Sequence, residues 1–253
     1  MNKLILLGAG FAAEAIRDRF LETPVEIHGT SRHPKSDSWI NLRFDLSDKG
    51  TWSSIPEGSD LIWTFPAVPE EQVREFHAFL KSRDSVIRVV LGTTSCYLPE
   101  TGEITELSPV NHSTERVRSE LFLKEQGANW LVCSGLWGYG KHPYEWLAKG
   151  LIRNRNKTVN LIHVSDLAEY IQRLLVTGDQ GLQLNVSDGK AWWWRDLVAN
   201  ARRSYLFFGE NPDDGPEQYR LIRNDRLVAL LGQHHFHTPF LVEDEGLTPD
   251  LPK

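Results

Sequence analysis

The sequence is short of sulfur, with two cysteines and one methionine in 253 residues. Two thiols, Cys96 and Cys133, are too few for a disulfide framework, and their spacing suits neither a metal site nor a redox pair. Cys133 lies in an apolar run and reads as core filler. Long hydrophobic runs are also missing. No window approaches the roughly 20 apolar residues of a membrane span. The opening MNKLILLG is broken by Gly8 and Gly10, and charges run from Glu14 to Arg19 where a cleavage site would stand. No secretory signal is read there, and a cytoplasmic protein with reduced thiols is the expectation. A basic excess is lacking too: 34 acidic against 28 basic residues give a formal net charge of −6. That field repels nucleic acid and anionic lipid, so neither is expected as a partner. There is no internal repeat and no low-complexity linker.

What remains is an ordinary globular composition, 40% hydrophobic and 25% charged. The length suits one large α/β domain with a small added lobe. Short apolar runs read as strands at 3–7, 24–30, 60–64, 86–91 and 129–133. Between them, helical spacing appears at 11–21, near 47–54, at 69–82 and at 114–126. This alternation predicts an α/β fold, a doubly wound parallel sheet with helices on both faces. Beyond residue 134 the pattern loosens to a helix near 143–152, a strand near 159–164, a helix near 165–176 and a strand near 182–186. The last 60 residues are rich in Trp, Arg and loop signals. The expectation is a single domain over 1–253, with 134–160 and 187–253 forming a small C-terminal lobe for substrate.

Gly8-Ala9-Gly10-Phe11-Ala12-Ala13 follows the first strand and opens the first helix. Gly8 permits the tight turn and Gly10 lets a pyrophosphate approach the backbone. Ala13 is small enough for close helix–strand packing, and Phe11 and Ala12 begin a helix whose N-terminus favours phosphate. A glycine turn without a ligand, and the related turns of flavin enzymes and methyltransferases, remain alternatives. The second strand ends in Gly29-Thr30-Ser31-Arg32, without the Asp or Glu that bonds a ribose 2′-hydroxyl in NAD sites. Hydroxyls and a guanidinium suit a 2′-phosphate instead. NADP is therefore the expected cofactor and NAD the alternative.

Further segments carry a resemblance. They are Phe44-Asp45-Leu46, Thr64-Phe65-Pro66-Ala67, Leu91-Gly92-Thr93-Thr94-Ser95-Cys96-Tyr97, Leu136-Trp137-Gly138-Tyr139-Gly140-Lys141, Val159 through Ala168, and Leu184-Asn185-Val186-Ser187-Asp188. Over residues 3–190 the chain resembles the extended and atypical short-chain dehydrogenases/reductases, the NAD-dependent epimerase/dehydratase group with its Rossmann-like fold. The resemblance implies that Asp45 and Leu46 meet the adenine and that Phe65 and Pro66 pass under its ribose. It places Thr93 near the site of hydride transfer and counts Thr93 and Trp137 among the cofactor-binding residues. It implies an oxidoreductase, epimerase or dehydratase acting on a small carbonyl, sugar or nucleotide-sugar substrate. It further implies a homodimer formed through the helices at 69–82 and 114–126.

One element of that family is missing. Its tyrosine and lysine, four residues apart on one helix, make the general acid or base. No such pair occurs in the chain, and the resemblance puts Arg116 and Glu120 in those places. Arginine is no base at neutral pH. Three readings stay open. Tyr97, Tyr139 or Glu120 supplies the proton; Arg116 binds an anionic substrate and polarises its carbonyl; or the protein binds the dinucleotide without turnover, as a redox sensor or scaffold. Arg116 and Glu120, at i and i+4, also suit a simple ion pair. The candidate catalytic residues are thus Thr93, Tyr97, Arg116 and Glu120.

His163 with Asp166 reads as structural. In His234-His235-Phe236-His237 the alternate histidines share a face but lack a carboxylate or cysteine partner, so no metal is expected. Trp192-Trp193-Trp194 reads mainly as packing. Arg153, Arg155 and Lys157 form a basic loop, solvated or diphosphate-binding.

Overall fold

The structure, a computed structural model, describes residues 3–34, 38–138, 140–203, 212–232 and 235–240. In chain order the elements are β1 (Lys3–Leu7), α1 (Phe11–Phe20), β2 (Glu26–Ser31), β3 (Leu42–Arg43), a 3₁₀ turn (Lys49–Ser54), β4 (Asp60–Trp63), α2 (Glu70–Lys81), β5 (Val86–Thr93), a second 3₁₀ turn (Thr94–Cys96), β6 (Gly102–Ile104), α3 (Glu115–Glu125) and β7 (Asn129–Cys133). There follow β8 (Gly135–Trp137), α4 (Pro143–Ala148), β9 (Thr158–Val159), β10 (Leu161–His163), α5 (Val164–Thr177), β11 (Gln183–Val186), β12 (Trp192–Trp193), α6 (Trp194–Arg203), β13 (Arg220–Ile222) and α7 (Asp225–Leu231).

Seven strands form the main sheet in the order β11-β7-β5-β4-β1-β2-β3. The pairings of β1 with β2 and β4, of β2 with β3, and of β5 with β4 and β7 are parallel. This is the doubly wound sheet that the alternation predicts. From β1 the chain runs outward to β3, then returns to β4 and proceeds the other way. The order therefore reverses between β1 and β4, where open α/β sheets bind ligands. Both faces of the sheet are covered, which is why β1 reads as an unbroken apolar run: Leu4 through Leu7 are fully buried. The helices present matching stripes. α1 buries Ala12, Ala13, Ile16 and Phe20, and α2 buries Val73, Phe76 and Leu80 at three- and four-residue spacing.

The chain divides into two compact units. The first comprises the described residues of Met1–Leu98, Pro109–Cys133 and Leu167–Leu184. Its aromatic centre is Phe76, with ring centroids 4.8 Å from Phe44, 5.2 Å from Trp52, 6.0 Å from Trp63 and 6.2 Å from Phe79. The second unit comprises the described residues of Pro99–Ser108, Ser134–Asp166 and Asn185–Lys253. It holds three two-stranded ladders, β8 with β10, β9 with β12, and β6 with β13. Its core gathers Tyr144, Leu147, Trp194, Leu197, Val198 and Ala201.

Several boundaries differ from the sequence reading, each for a local reason. The helix expected near 143–152 ends at Ala148, and Gly150 follows with a φ of 64° that favours glycine. The strand expected near 159–164 is two short strands divided at Asn160. That side chain bonds β13, donating to the Arg220 carbonyl and accepting from the Ile222 N–H. The last 60 residues hide an amphipathic helix. Trp194, Leu197, Val198 and Ala201 fall at i, i+3, i+4 and i+7 of α6 among polar neighbours. Of the three tryptophans, Trp194 is core, while Trp192 and Trp193 are half-buried. Among the described residues no helix is long and apolar enough to cross a membrane.

Phe76 is the test of this packing. Phe76→Ala should lower unfolding free energy by about 3–5 kcal/mol, the cost of removing a fully enclosed aromatic ring. Urea denaturation followed by tryptophan fluorescence measures it; a loss under 1 kcal/mol would mean that the cluster is not tightly packed.

Candidate functional site

The site begins where β1 gives way to α1. Gly8 has a φ of 89°, open to glycine and strained for other residues. A β-carbon there would also stand 2.9 Å from Phe65 Cδ1 and 3.3 Å from Thr64 Oγ1. The Gly8 N–H donates to Thr30 Oγ1 at 2.9 Å, and the Thr64 hydroxyl lies 2.7 Å from the Gly8 carbonyl. The turn is thus tied to β2 on one side and to the end of β4 on the other. Gly10 is different: a β-carbon there would meet nothing within 4 Å. Space, not protein, faces it, and no side chain caps α1 at Gly10. An uncapped helix N-terminus beside open space is built for an anionic group.

This turn forms one wall of a cavity of about 790 Å³. Its other walls are the end of β2 from Thr30 to His33, the Phe44–Ser47 segment, and Thr64, Phe65 and Gln72. Asp45 is held below the usual carboxylate range, first by the Ser47 hydroxyl and N–H and then by the charges of Arg32 and Arg43. The Ser47 groups stand 2.7 and 2.9 Å from Asp45 Oδ1. The carboxylate is therefore fixed and charged on the wall beside Arg32.

Farther along the sheet stand β5 and α3. Glu120 of α3 is fully buried. Its Oε1 accepts from Arg116 Nε at 2.5 Å and its Oε2 from Trp130 Nε1 at 2.8 Å. Burial raises its pKa, while the Arg116 charge and both hydrogen bonds oppose the shift. A β-carbon on Gly92 would overlap Trp130 Nε1 and stand 2.7 Å from Glu120 Oε2, so glycine is required. Arg116 Nη2 also donates to the Leu91 carbonyl at 3.3 Å. Cys133 is buried nearby, its thiol pushed up to about 12 by burial and then by the Glu120 charge.

The sequence-predicted residues distribute as follows. Gly8, Gly10, Ser31, Arg32, Asp45, Leu46 and Phe65 line the cavity. Phe11, Ala12, Pro66 and Thr93 do not: Ala12 faces the core of α1, and Pro66 is exposed. Thr30 was expected to offer its hydroxyl to a phosphate, but it is 1% exposed and holds Gly8. Tyr97 is 5% exposed, with its hydroxyl accepting from Gln183 Nε2 at 3.3 Å. Glu120 has both oxygens occupied, and the ion pair with Arg116 is the simple one that the spacing allows. Tyr139 and His234 lie outside the described residues. Ile40, Phe44 and Gln72 line the cavity without having been anticipated. They come from irregular segments or a helix start, where periodicity carries no signal.

In the second unit Trp137 is buried, its ring edge-on to His142 and to His163. His163 stacks on His237 with centroids 4.1 Å apart, and His237 Nδ1 stands 2.7 Å from Asp166 Oδ1. The carboxylate partner that His237 lacks in the sequence is thus Asp166, 71 positions away. His163, Asp166 and His237 bring ligand-type atoms within 4.8 Å of one another. Arg155 of the basic loop pairs with Asp214. Asp188 accepts from Trp192 Nε1 at 2.5 Å and from the Lys190 N–H at 3.0 Å, yet burial raises its carboxyl to about 6.

No protein-family model matches the chain, and no curated protein matches it. Solved structures do. A short-chain dehydrogenase/reductase superfamily protein of Agrobacterium tumefaciens with bound NAD is 14% identical, with a TM-score of 0.75 over 94% of each chain. A Methylobacillus flagellatus protein, provisionally named an NAD-dependent epimerase/dehydratase, is 21% identical, with a TM-score of 0.73 over 90% of this chain and 91% of that one. RMD of Pseudomonas aeruginosa, complexed with NADPH, is 16% identical, with a TM-score of 0.67 over 92% and 93%. At such identities the likeness is one of fold: this chain has the Rossmann-like fold of that superfamily.

Two stability measurements follow from these groups. Arg116→Ala strands a buried carboxylate and should cost about 3–5 kcal/mol, whereas Arg116→Ala with Glu120→Gln should recover most of it. Urea unfolding of the two variants measures the difference; equal losses would show that the charge on Glu120 is not what matters. Asp188 gives a pH signature. The folded chain keeps its proton to about pH 6 and the unfolded chain loses it near 3.8. The folded state therefore binds the extra proton, and its stability falls as pH rises through that window, by roughly 3 kcal/mol. Asp188→Asn should flatten this fall between pH 4 and 7.5, and an unchanged profile would remove Asp188 as its source.

Proposed function

We propose that the chain binds a nicotinamide dinucleotide, NADP in preference to NAD, and acts as an oxidoreductase or epimerase/dehydratase on a small carbonyl, sugar or nucleotide-sugar substrate. The observation that carries this reading is the cavity at the switch point of the sheet, walled by a positive-φ glycine turn, an uncapped helix and the end of β2. The residues fit the group. Gly10 leaves room for the pyrophosphate, Phe44 and Leu46 offer apolar walls for the adenine, and Asp45 offers a fixed acceptor. Ser31 and Arg32 stand at the ribose end with no carboxylate of β2 beside them, which favours a 2′-phosphate. When bound, the dinucleotide supplies hydride donation or acceptance at its nicotinamide ring. The likeness to structures holding NAD and NADPH supports the cofactor class.

A second reading, binding without turnover as a redox sensor or scaffold, is favoured by the state of α3 and Tyr97. Glu120 is sealed, Arg116 holds no removable proton at neutral pH, and the Tyr97 phenol is buried against Gln183. A panel of carbonyl and nucleotide-sugar substrates assayed with NADPH and NADP separates the two readings. Turnover of any of them excludes the second.

The cofactor proposal itself is tested by energy transfer from tryptophan to NADPH and to NADH. Micromolar NADPH affinity is expected, weakened about tenfold or more by Arg32→Ala, with NADH affected far less; tenfold corresponds to about 1.4 kcal/mol. Equal weakening would remove the 2′-phosphate from Arg32, and no binding of either dinucleotide would overturn the function.

A further inference from the structure

We infer that Arg116 is the anchor for a carboxylate group on the second ligand of this protein, held in place by Glu120, Trp130 and Gly92. The inference rests on the dinucleotide reading for what lies beside it, but the anchor is argued from this chain's own geometry.

Placement comes first. Leu7, Trp63 and Val90 are level across β1, β4 and β5. Gly8 and Leu91, the next residues along, therefore stand on one row, two strand spacings or about 10 Å apart. Arg116 Nη2 bonds the Leu91 carbonyl, so the guanidinium lies level with the glycine turn, two residues before β5 ends at Thr93. Ligands of such sheets bind outside the carboxyl ends of the strands.

The donor inventory comes second. A guanidinium has five N–H groups in a flat fork. Nε is committed to Glu120 and one Nη2 hydrogen to Leu91. Nη1 has no acceptor among the described residues, and the side chain is 26% exposed. The fork is thus gripped along one edge and open along the other.

The third point is how much structure serves that grip. A buried carboxylate is poor value as a stabiliser, because its desolvation cancels much of the attraction. Here one is enclosed completely, bonded by an indole from β7, and accommodated by a glycine in β5 where any side chain would collide. Apolar groups of similar volume are often at least as stable as a buried ion pair. What the arrangement secures is the orientation of Arg116. Glu120 is in this sense a positioning residue.

The chemistry of the ligand follows. A flat pair of N–H groups matches the two oxygens of a carboxylate. Because Glu120 balances the Arg116 charge, the rim carries no surplus positive charge here for a dianionic phosphate, so a monoanion is favoured.

Ligand-observed saturation-transfer NMR tests this on the full chain, with NADPH binding and the urea midpoint recorded for each variant. The probes are pyruvate with its neutral counterpart hydroxyacetone, glucuronate with glucose, and inorganic phosphate. Saturable binding is expected for at least one carboxylate, at tenfold or more higher affinity than its neutral counterpart and than phosphate. Arg116→Gln combined with Glu120→Gln should abolish that preference while the protein stays folded. Arg116→Lys, which keeps the charge but loses the fork, should retain only part of it. Undiminished carboxylate binding in the folded double variant would overturn the anchor. So would equal affinity for the neutral counterparts, tighter binding of phosphate, or no carboxylate binding by protein that binds NADPH. Failure of the wild type to bind either dinucleotide, with carboxylate preference intact, would overturn the cofactor reading and leave the anchor standing.

Discussion

The hydrogen bond from the Gly8 amide to the Thr30 hydroxyl is the constraint around which the first unit is arranged. A parallel sheet exposes its strand ends only at its two rims, and ligands collect where the strand order reverses. At that point β1 must leave the sheet sharply and deliver a helix with its N-terminus outward. The positive φ of Gly8 makes the turn, Thr30 ties it to β2, and Thr64 ties it to β4. The packing against Phe65 then leaves no room for a side chain at Gly8, while Gly10 stays open. Two glycines two positions apart serve opposite needs, one filled by protein and the other left for a ligand.

Glu120 shows a different use of burial. Most of the core is apolar, and its stability grows with the area removed from water. This carboxylate works against that trend. It is tolerated because two donors, Arg116 Nε and Trp130 Nε1, meet it. The same segment in the resembling family carries a tyrosine and a lysine for moving protons. Here Arg116 and Glu120 of that segment are paired with each other.

Much of this could be read from the sequence, because the signals were local. The apolar run of β1, the Gly8 and Gly10 spacing, and the three- and four-residue rhythm of Val73, Phe76 and Leu80 each follow from contacts within a few residues. The cavity residues Ser31 and Arg32 were legible because they end the second strand, and Asp45 and Phe65 through the family resemblance of their segments. What was hidden depended on distant partners. The occupation of Thr30 by Gly8, of Tyr97 by Gln183 and of His237 by Asp166 involves residues 22, 86 and 71 positions apart. The helix α6 was masked for another reason. Its buried stripe is interrupted by arginines and opened by a tryptophan run, so mean polarity concealed a regular spacing.

The two cysteines have a consequence of their own. Both are buried and unbridged, and Cys133 carries a thiol that is almost never ionised at neutral pH. Alkylating reagents and peroxides need access to the sulfur, so burial keeps both groups from reporting on the native molecule. Each becomes reactive only when the structure around it opens. Cys133 ends β7, the second strand from one edge of the sheet, and Cys96 lies just beyond the end of β5. The protein thus carries two clocks, silent in the folded state, whose rates of labelling time the opening of two neighbouring strands.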